Sequence, residues 1–194
     1  SKRVLPTTII GAGAVGSALA IALHKSGYPI VSVISKTKKS AKKLARKVHC
    51  KIYSSDIKHI DSSTRLIIIA VPDTAIKEVS QTIARLKTLA FKHMLIVHTS
   101  GMYSASALHM LNRKGALVAS VHPIQTFPKL SPIKSRSISL DGIYFGIDCK
   151  KELLPRVRNI VHDLKAKPIV IPPKFRPLYH ATCVFSSSYF VMLS

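Results

Sequence analysis

One loop constrains the fold of this chain more than any other feature: Ile9-Ile10-Gly11-Ala12-Gly13-Ala14-Val15-Gly16. This G-x-G-x-x-G sequence follows an apolar run and opens a segment with apolar residues at helical spacing. Between a strand and a helix, Gly11 allows the tight turn, Gly13 lets the backbone approach a pyrophosphate, and Gly16 lets the helix pack close to the strand. Free N–H groups at the helix N-terminus favour an anion there. The sequence therefore predicts a dinucleotide-binding loop made of Gly11, Ala12, Gly13, Ala14, Val15 and Gly16.

Predicted strands and helices alternate along the rest of the chain. The predicted strands are 4–10, 30–34, 65–71, 94–98 and 117–121, and the predicted helices between them are 14–25, 38–47, 74–89 and 104–113. A proline-rich loop at 123–137 precedes a strand at 138–147, a helix at 151–165 and a strand at 168–171. This alternation predicts an α/β fold, a doubly wound and mostly parallel sheet with helices on both faces.

Composition excludes several classes of protein. With 194 residues, of which 47% are hydrophobic, the chain can bury a sizeable core and is not intrinsically disordered. The longest run without a charge, Val4 to His24, is interrupted by three glycines and a proline. No other stretch approaches the roughly 18 apolar residues of a membrane span, so no membrane partner is expected. Three cysteines, Cys50, Cys149 and Cys183, lack ligand-like spacing, which predicts free thiols in a reducing compartment and a cytoplasmic location. A secretory signal ending at Ala18-Leu19-Ala20 is the alternative at the N-terminus.

Charge is the anomaly of this composition. The chain has 30 Lys and Arg residues against 8 Asp and Glu, a net charge of +22. Such an excess predicts attraction to phosphates and nucleic acids at low salt. The basic residues are not interleaved with aromatic ones, however, and no RNA- or DNA-binding motif occurs. We therefore expect no specific nucleic-acid partner.

The end of the second strand indicates which dinucleotide binds. An NAD site has an Asp or Glu about 20 residues after the glycine loop, which holds the ribose 2′-hydroxyl. Here no acid occurs between Gly16 and Asp56, and Ser35, Lys36 and Thr37 follow the strand. A hydroxyl followed by cations suits the 2′-phosphate, so NADP(H) is the expected cofactor. The alternative is that the lysines belong to a solvated basic face of the next helix.

Histidines follow the ends of two later strands. Ligands of open α/β sheets bind beyond the carboxyl ends of the strands, and consecutive strands usually neighbour each other. His98, Ser100 and His122 are therefore expected to meet beside the nicotinamide, where a histidine can deliver or remove a proton as hydride moves. One alternative is that both imidazoles only satisfy backbone groups. Another is a metal site with His180 as third ligand, but no H-x-x-x-H or C-x-x-C sequence supports a metal, and none is expected.

Four segments besides the glycine loop carry a family resemblance: Ala70-Val71-Pro72-Asp73-Thr74-Ala75-Ile76, His98-Thr99-Ser100-Gly101, His122-Pro123-Ile124-Gln125-Thr126-Phe127 and Leu178-Tyr179-His180-Ala181. Together they resemble a bacterial oxidoreductase-like family with a Rossmann-like NADP-binding domain and a helical C-terminal domain of unknown function. The broader kin are the 6-phosphogluconate dehydrogenase-like and pyrroline-carboxylate reductase-like proteins. The His-Pro pair is also similar to one in prephenate and arogenate dehydrogenases.

This resemblance implies a Rossmann-like domain at 1–172, with a βαβ extension at 138–172, followed at 173–194 by the first helix of an all-helical domain. Most of that domain is expected to be missing after Ser194, so the chain resembles a fragment. The family pattern places Val71 and Pro72 beside the nicotinamide ribose. It also implies that the helical domain forms a homodimer. Ser187-Ser188 stand where the pattern has an asparagine.

The leading expectation is an NADP(H)-dependent oxidoreductase that transfers hydride to or from a small compound with a C=O or C=N bond. His98, Ser100 and His122 are the expected residues of substrate contact and proton transfer, with His180 reaching over from the helical part. The alternatives are a prephenate or arogenate dehydrogenase-like enzyme and a catalytically silent NADP-binding sensor or scaffold. No residue identifies the substrate.

Overall fold

The structure, a computed structural model, describes residues 4–125 and 139–175. Its strands are β1 (Thr7–Ile10), β2 (Ile30–Ile34), β3 (Ile52–Ser54), β4 (Leu66–Ile69), β5 (Leu95–His98), β6 (Leu117–Pro123), β7 (Tyr144–Cys149) and β8 (Lys167–Val170). Its α-helices are α1 (Ala14–Lys25), α2 (Lys38–Lys47), α3 (Asp73–Ala84), α4 (His109–Arg113) and α5 (Leu154–Asp163). Short 3₁₀ turns lie at Ile57–His59, Ala105–Leu108, Lys151–Leu153 and Pro173–Phe175.

The described strands form one eight-stranded sheet of order β3-β2-β1-β4-β5-β6-β7-β8. Strands β1 to β6 pair in parallel, β7 runs antiparallel to β6, and β8 pairs in parallel with β7. The chain passes from β1 outward to β3 and then returns to β4 on the other side of β1. This reversal of direction makes the sheet doubly wound, and it opens a crevice at the carboxyl ends of β1 and β4. The predicted fold class is confirmed.

Helices cover both faces of the sheet. Helices α1, α2 and α5 pack on one face, and α3 and α4 pack on the other. The four residues of β4 are at most 3% exposed, because each face of this central strand lies under a helical layer. Within the described residues, no helix has the length and apolar character to cross a membrane.

Several element bounds differ from the predicted ones. Helix α3 ends at Ala84 instead of residue 89, because Leu89 and Phe91 enter the core from a loop and imitate helical spacing. Strand β3 was not predicted, since three half-buried residues give no clear apolar pattern. Strand β7 begins at Tyr144 instead of residue 138, after a turn at Gly142 with φ +73°. The predicted helix from Leu178 and most of the proline-rich loop lie outside the described residues.

Tyr28 connects the turn after α1 to the C-terminal end of α5. Its side chain is 3% exposed, and its hydroxyl donates a hydrogen bond to Asp163 Oδ2 at 2.6 Å. The Ser26 hydroxyl donates to the Asp163 carbonyl oxygen at 2.5 Å. Burial raises the pKa of the Tyr28 phenol, and the hydrogen bond to Asp163 and the charge of that carboxylate raise it further. These contacts attach α5 to the amino-terminal edge of the sheet.

We predict that Tyr28→Phe lowers the free energy of unfolding by about 1–3 kcal/mol at neutral pH, because it removes a buried hydrogen bond to a charged acceptor. The raised pKa means that the unfolded chain loses the phenol proton first, near pH 10. The stability that this proton contributes is therefore present below about pH 10 and decreases above it. Urea unfolding of both proteins between about pH 8 and pH 11 should show their difference shrinking at high pH. A constant difference would contradict this account.

Candidate functional site

Close packing requires two glycines of the glycine loop, Gly11 before α1 and Gly16 in its first turn. Gly11 has φ +105°, and a Cβ atom there would lie 2.2 Å from the Ala70 carbonyl oxygen. A Cβ atom at Gly16 would lie 1.9 Å from the Gly11 carbonyl oxygen. Val71 N lies 3.2 Å from the same Cβ position at Gly11, so the loop contacts the segment that follows β4. The glycines therefore bring the ends of β1 and β4 together.

Gly13 differs from the other two. It is exposed, it is the N-cap of α1 with φ −74°, and among the described residues no neighbouring atom lies within 4 Å of its Cβ position. No side chain caps α1, whose first turn is formed by Ala14 and Val15. The open space therefore faces free N–H groups at the positive end of a helix dipole, which is an arrangement that binds phosphate. These residues fit the pyrophosphate of a dinucleotide.

The end of β2 lies against the glycine loop. Ser35 Oγ accepts a hydrogen bond from the Ala12 N–H at 3.3 Å. Thr37 is the N-cap of α2, and its Oγ1 accepts from the Ser40 N–H at 3.2 Å. Lys36 lies exposed between them. The predicted residues Ser35, Lys36 and Thr37 therefore do follow the strand next to the loop, at the carboxyl edge of the sheet.

The N-terminus of α2 has an unusual charge distribution. Lys38 and Lys39 occupy its first turn, together with no acidic residue, and both are exposed. Cations at this end of a helix oppose the helix dipole by roughly 0.3–1 kcal/mol each. A bound anion offsets that cost. The segment next to Ser35 is therefore suited to an additional phosphate group.

Val71 and Pro72 lie at the end of β4, the strand beside β1. Val71 is half-buried, and Pro72 is exposed as the N-cap of α3. The contact between Gly11 and Val71 shows that both segments border one edge of the crevice. The residues predicted for the cofactor are thus brought together from three strand ends.

Polar side chains gather where β5, β6 and β7 meet. His98 pairs with Ser120, and Ser120 pairs with Asp148 across the antiparallel boundary. His122 lies two residues after Ser120 and therefore points to the same face. His98, Ser120, His122 and Asp148 consequently share one face of the sheet, the face covered by α3 and α4. Asp148 was not among the predicted site residues, although a single acid inside an otherwise apolar strand was the available signal.

His98 is fully buried, with 0% exposure. Its Nδ1 accepts a hydrogen bond from the Ser100 N–H at 3.2 Å, so Nδ1 carries no proton. The proton is therefore on Nε2, which lies 2.9 Å from the Ser104 carbonyl oxygen and donates to it. Proton exchange with a ligand would break these bonds. The alternative that His98 satisfies backbone groups accounts for these two contacts, and its expected role in proton transfer stays a prediction.

Ser100 also shapes the segment that follows β5. It is 4% exposed, and its Oγ accepts hydrogen bonds from the N–H groups of Met102 and Tyr103, both at 3.1 Å. The Ser120 hydroxyl donates to the Ser100 carbonyl oxygen at 3.1 Å. Ser100 Oγ is thus an acceptor within its own turn, and its expected role in holding a substrate stays a prediction.

Asp148 joins β7 to the same segment. Its Oδ2 accepts a hydrogen bond from the Ala105 N–H at 2.7 Å, at the start of the 3₁₀ turn Ala105–Leu108. The carboxylate is 7% exposed. A buried charge is stabilised when it accepts such hydrogen bonds, and this one connects β7 to the segment that His98 organises.

His122 occupies a different environment. It is half-buried, and a Cβ atom at Gly101 would lie 2.8–3.0 Å from its ring atoms, so the imidazole packs flat on the Gly101 backbone. The opposite position on β7 is Gly146, which has no side chain to cover the ring. His122 is therefore held against the Gly101 backbone and is partly exposed.

His180 and the segment from Leu178 lie outside the described residues. Within residues 4–125 and 139–175, no three His, Cys, Asp or Glu side chains come together as metal ligands. The two cysteines in this part of the chain are free thiols, and burial raises the pKa of both, to about 11 for Cys149.

Comparison with known proteins gives a consistent picture. A family described as Rossmann-like domain matches residues 2–123, and a domain of unknown function, DUF2520, matches residues 143–194. A Bacteroides fragilis protein designated an NADP oxidoreductase superimposes with a TM-score of 0.82 at 26% identity, over 98% of this chain and 69% of that one. Prephenate dehydrogenase of Aquifex aeolicus superimposes with a TM-score of 0.73 at 15% identity, over 88% of this chain and 62% of that one, which shows a common fold.

A curated relative matches only part of the chain. The NAD(P)+ glycerol-3-phosphate dehydrogenase of Thermoanaerobacter sp. is 26% identical over 116 residues, 54% of this chain and 34% of that enzyme. This chain therefore spans about a third of the length of that relative. The family match covers more than half of the chain, and it includes the glycine loop and strands β1 to β6. The chain belongs to the Rossmann-like domain family.

Proposed function

We propose that this protein is an NADP(H)-dependent oxidoreductase that transfers hydride to or from a small compound with a C=O or C=N bond. The observation that carries the proposal is the open space in front of Gly13, at the uncapped N-terminus of α1. The likeness to an NADP oxidoreductase over nearly the whole chain supports it. The cofactor, when bound, supplies or accepts the hydride, and the protein positions it and moves the proton.

In this proposal the glycine loop holds the pyrophosphate through the N–H groups of α1. Val71 and Pro72 border the nicotinamide ribose, at the end of the strand next to β1. Ser35, Lys36 and Thr37 hold the 2′-phosphate, aided by the lysines of the first turn of α2. The uncompensated positive charge at this helix end supports NADP(H) over NAD(H).

We predict that NADP+ binds roughly 10- to 150-fold more tightly than NAD+, since charge-assisted hydrogen bonds contribute about 1.5–3 kcal/mol. Isothermal calorimetry with both cofactors measures this ratio. The double variant Lys36→Gln/Lys38→Gln should lose most of the preference. Its matched control, Lys42→Gln/Lys43→Gln, removes the same amount of charge further along α2 and should keep the preference for NADP+. Equal or tighter binding of NAD+ by the wild type would overturn the assignment.

The proposal assigns proton transfer to His122. Its ring is oriented by the Gly101 backbone and reaches solvent at the carboxyl edge of the sheet. His98 and Ser100 act as positioning residues, because their polar atoms hold the backbone of the segment that carries Gly101. His180 remains a proposed substrate contact from the C-terminal part of the chain.

We further propose a domain boundary after residue 172. The match to the domain of unknown function begins at residue 143. Strands β7 and β8 nevertheless continue the sheet, since they pair with β6 and with each other, and α5 packs in the same core as α1. Residues 138–172 therefore extend the NADP-binding domain, and 173–194 begin a helical domain. A homodimer through that domain and a cytoplasmic location complete the proposal.

A catalytically silent NADP-binding sensor or scaffold is the second candidate. The observation that favours it is the structural use of His98 and Ser100, which leaves fewer groups for chemistry at the strand ends. Stopped-flow oxidation of bound NADPH against a panel of keto acids and imines separates the two. Cofactor binding without turnover on any of them would favour the silent protein.

A further inference from the structure

Helix α2 presents a face made of positively charged side chains. Its six cations form two rows in which successive members are four residues apart: Lys38, Lys42 and Arg46, and Lys39, Lys43 and Lys47. Residues at this spacing lie about one turn, or roughly 6 Å, apart along the helix. All six are exposed. The apolar residues Ala41, Leu44 and Ala45 are at most 2% exposed and face the core, so the cations cover the solvent side of the helix.

Acidic residues are scarce near this charge along the chain. None occurs between Gly16 and Asp56. The next two acids, Asp56 and Asp61, accept hydrogen bonds from the N–H groups of Lys58 and Ser63 in their own turns. Like charges four residues apart destabilise a helix, and α2 contains four such pairs in its two rows. A polyanion along the helix would remove that repulsion.

We propose that this surface, the α2 basic face, binds the phosphate backbone of nucleic acid without reading its sequence. A ten-residue helix is about 15 Å long, and duplex DNA carries one negative charge per roughly 1.7 Å of its axis. The six cations of α2 are therefore of the same order as the roughly nine phosphate charges that a duplex carries over that length. A membrane fits less well, because α2 exposes no apolar residue that would enter a bilayer.

The face lacks the groups that read bases. Its exposed side chains are lysine, arginine and Ser40, and the nearby Tyr53 ring lies beneath Lys42, with 5.9 Å between Nζ and the ring centroid. Binding is therefore expected to be electrostatic and to depend on salt through counterion release. The surface shares Lys38 and Lys39 with the proposed cofactor site, and its other four cations lie beyond that site along α2. The inference therefore does not depend on the proposed function.

The experiment measures fluorescence anisotropy of a labelled DNA duplex of about 20 base pairs with the 194-residue chain, over about 50–200 mM salt. The test variant carries Lys42→Gln, Lys43→Gln, Arg46→Gln and Lys47→Gln, which keeps good helix formers and spares the first turn of α2. The matched control carries Lys87→Gln, Lys114→Gln, Lys151→Gln and Arg158→Gln at exposed positions elsewhere. Both variants lose the same charge. Saturating NADP+ is included in a parallel series.

For the wild type we expect a slope of log K against log salt of about −5, as six phosphate contacts predict. The test variant should bind on the order of 10³-fold more weakly near 0.1 M salt, with a slope of about −2. The control variant should keep the wild-type slope, and saturating NADP+ should reduce the slope to about −4, because its 2′-phosphate occupies Lys38 and Lys39 and leaves four cations of α2 for the duplex. An equal loss in both variants would overturn the proposal, because net charge alone would then explain binding. Tighter binding of phosphatidylserine vesicles or polyglutamate than of the duplex, at equal salt, would also overturn it.

Discussion

Replacing Gly13 with aspartate is expected to abolish NADP(H) binding while the protein stays folded. In the part of the chain that the structure describes, no neighbouring atom lies within 4 Å of the Cβ position, and the backbone there is extended, with φ −74° and ψ −169°. Aspartate is also a favoured N-cap, so α1 should be as stable as in the wild type or more stable. The carboxylate would occupy the space proposed for the pyrophosphate and repel it. Juxtaposed like charges cost several kcal/mol, which corresponds to a loss of affinity of at least about 10²-fold.

Calorimetry and thermal unfolding on the same samples distinguish binding from folding. Gly13→Ser is the matched control, since it supplies an uncharged N-cap in the same space and should weaken binding less. Gly16→Ala tests a glycine that is needed for folding. Its Cβ atom would lie 1.9 Å from the Gly11 carbonyl oxygen, so the loop must shift and the unfolding temperature should fall. Unchanged NADPH affinity in Gly13→Asp would show that the phosphates lie elsewhere.

Replacing His122 with asparagine is expected to lower turnover by about 10²–10⁴-fold, the usual contribution of a proton-transfer histidine. NADPH affinity should be nearly unchanged, because the imidazole lies at the end of β6 and not at the glycine loop. Stability should also change little, since the ring is half-buried and reaches solvent. The measurement is stopped-flow oxidation of bound NADPH with the first keto acid or imine that the wild type reduces.

His98→Asn provides the comparison. It removes a buried ring whose two nitrogens bond the Ser100 N–H and the Ser104 carbonyl oxygen, and each buried group left unsatisfied costs about 1–3 kcal/mol. Its effect should therefore appear as a lower urea midpoint. Full turnover in His122→Asn would exclude this histidine as the acid–base group. An unchanged urea midpoint in His98→Asn would exclude the structural role given to His98.

The bounds of α1, β2 and α2 follow from local sequence alone. The glycine loop fixes where α1 starts, Gly27 with φ +88° lies in the turn that follows it, and Thr37 caps α2. These are short-range effects of backbone sterics and capping, which act on adjacent residues. The end of α3 was predicted incorrectly because burial of Leu89 depends on residues far away in the chain. Strand β3 depends on pairing with β2, which is likewise a long-range contact.

Local sequence patterns are enough to predict the α/β class, the glycine loop and the placement of His98, Ser100 and His122 at strand ends. The surroundings of the two histidines depend on contacts between distant parts of the chain. The antiparallel register of β7 with β6 places Asp148 opposite Ser120. The Ser104 carbonyl oxygen, six residues after His98, lies 2.9 Å from the Nε2 atom of its ring. His122 is instead half-buried, its ring packs against Gly101, and its register partner on β7 is Gly146. The two imidazoles therefore differ in burial and in the backbone groups that surround them. Both properties come from segments distant in sequence, which no local pattern encodes.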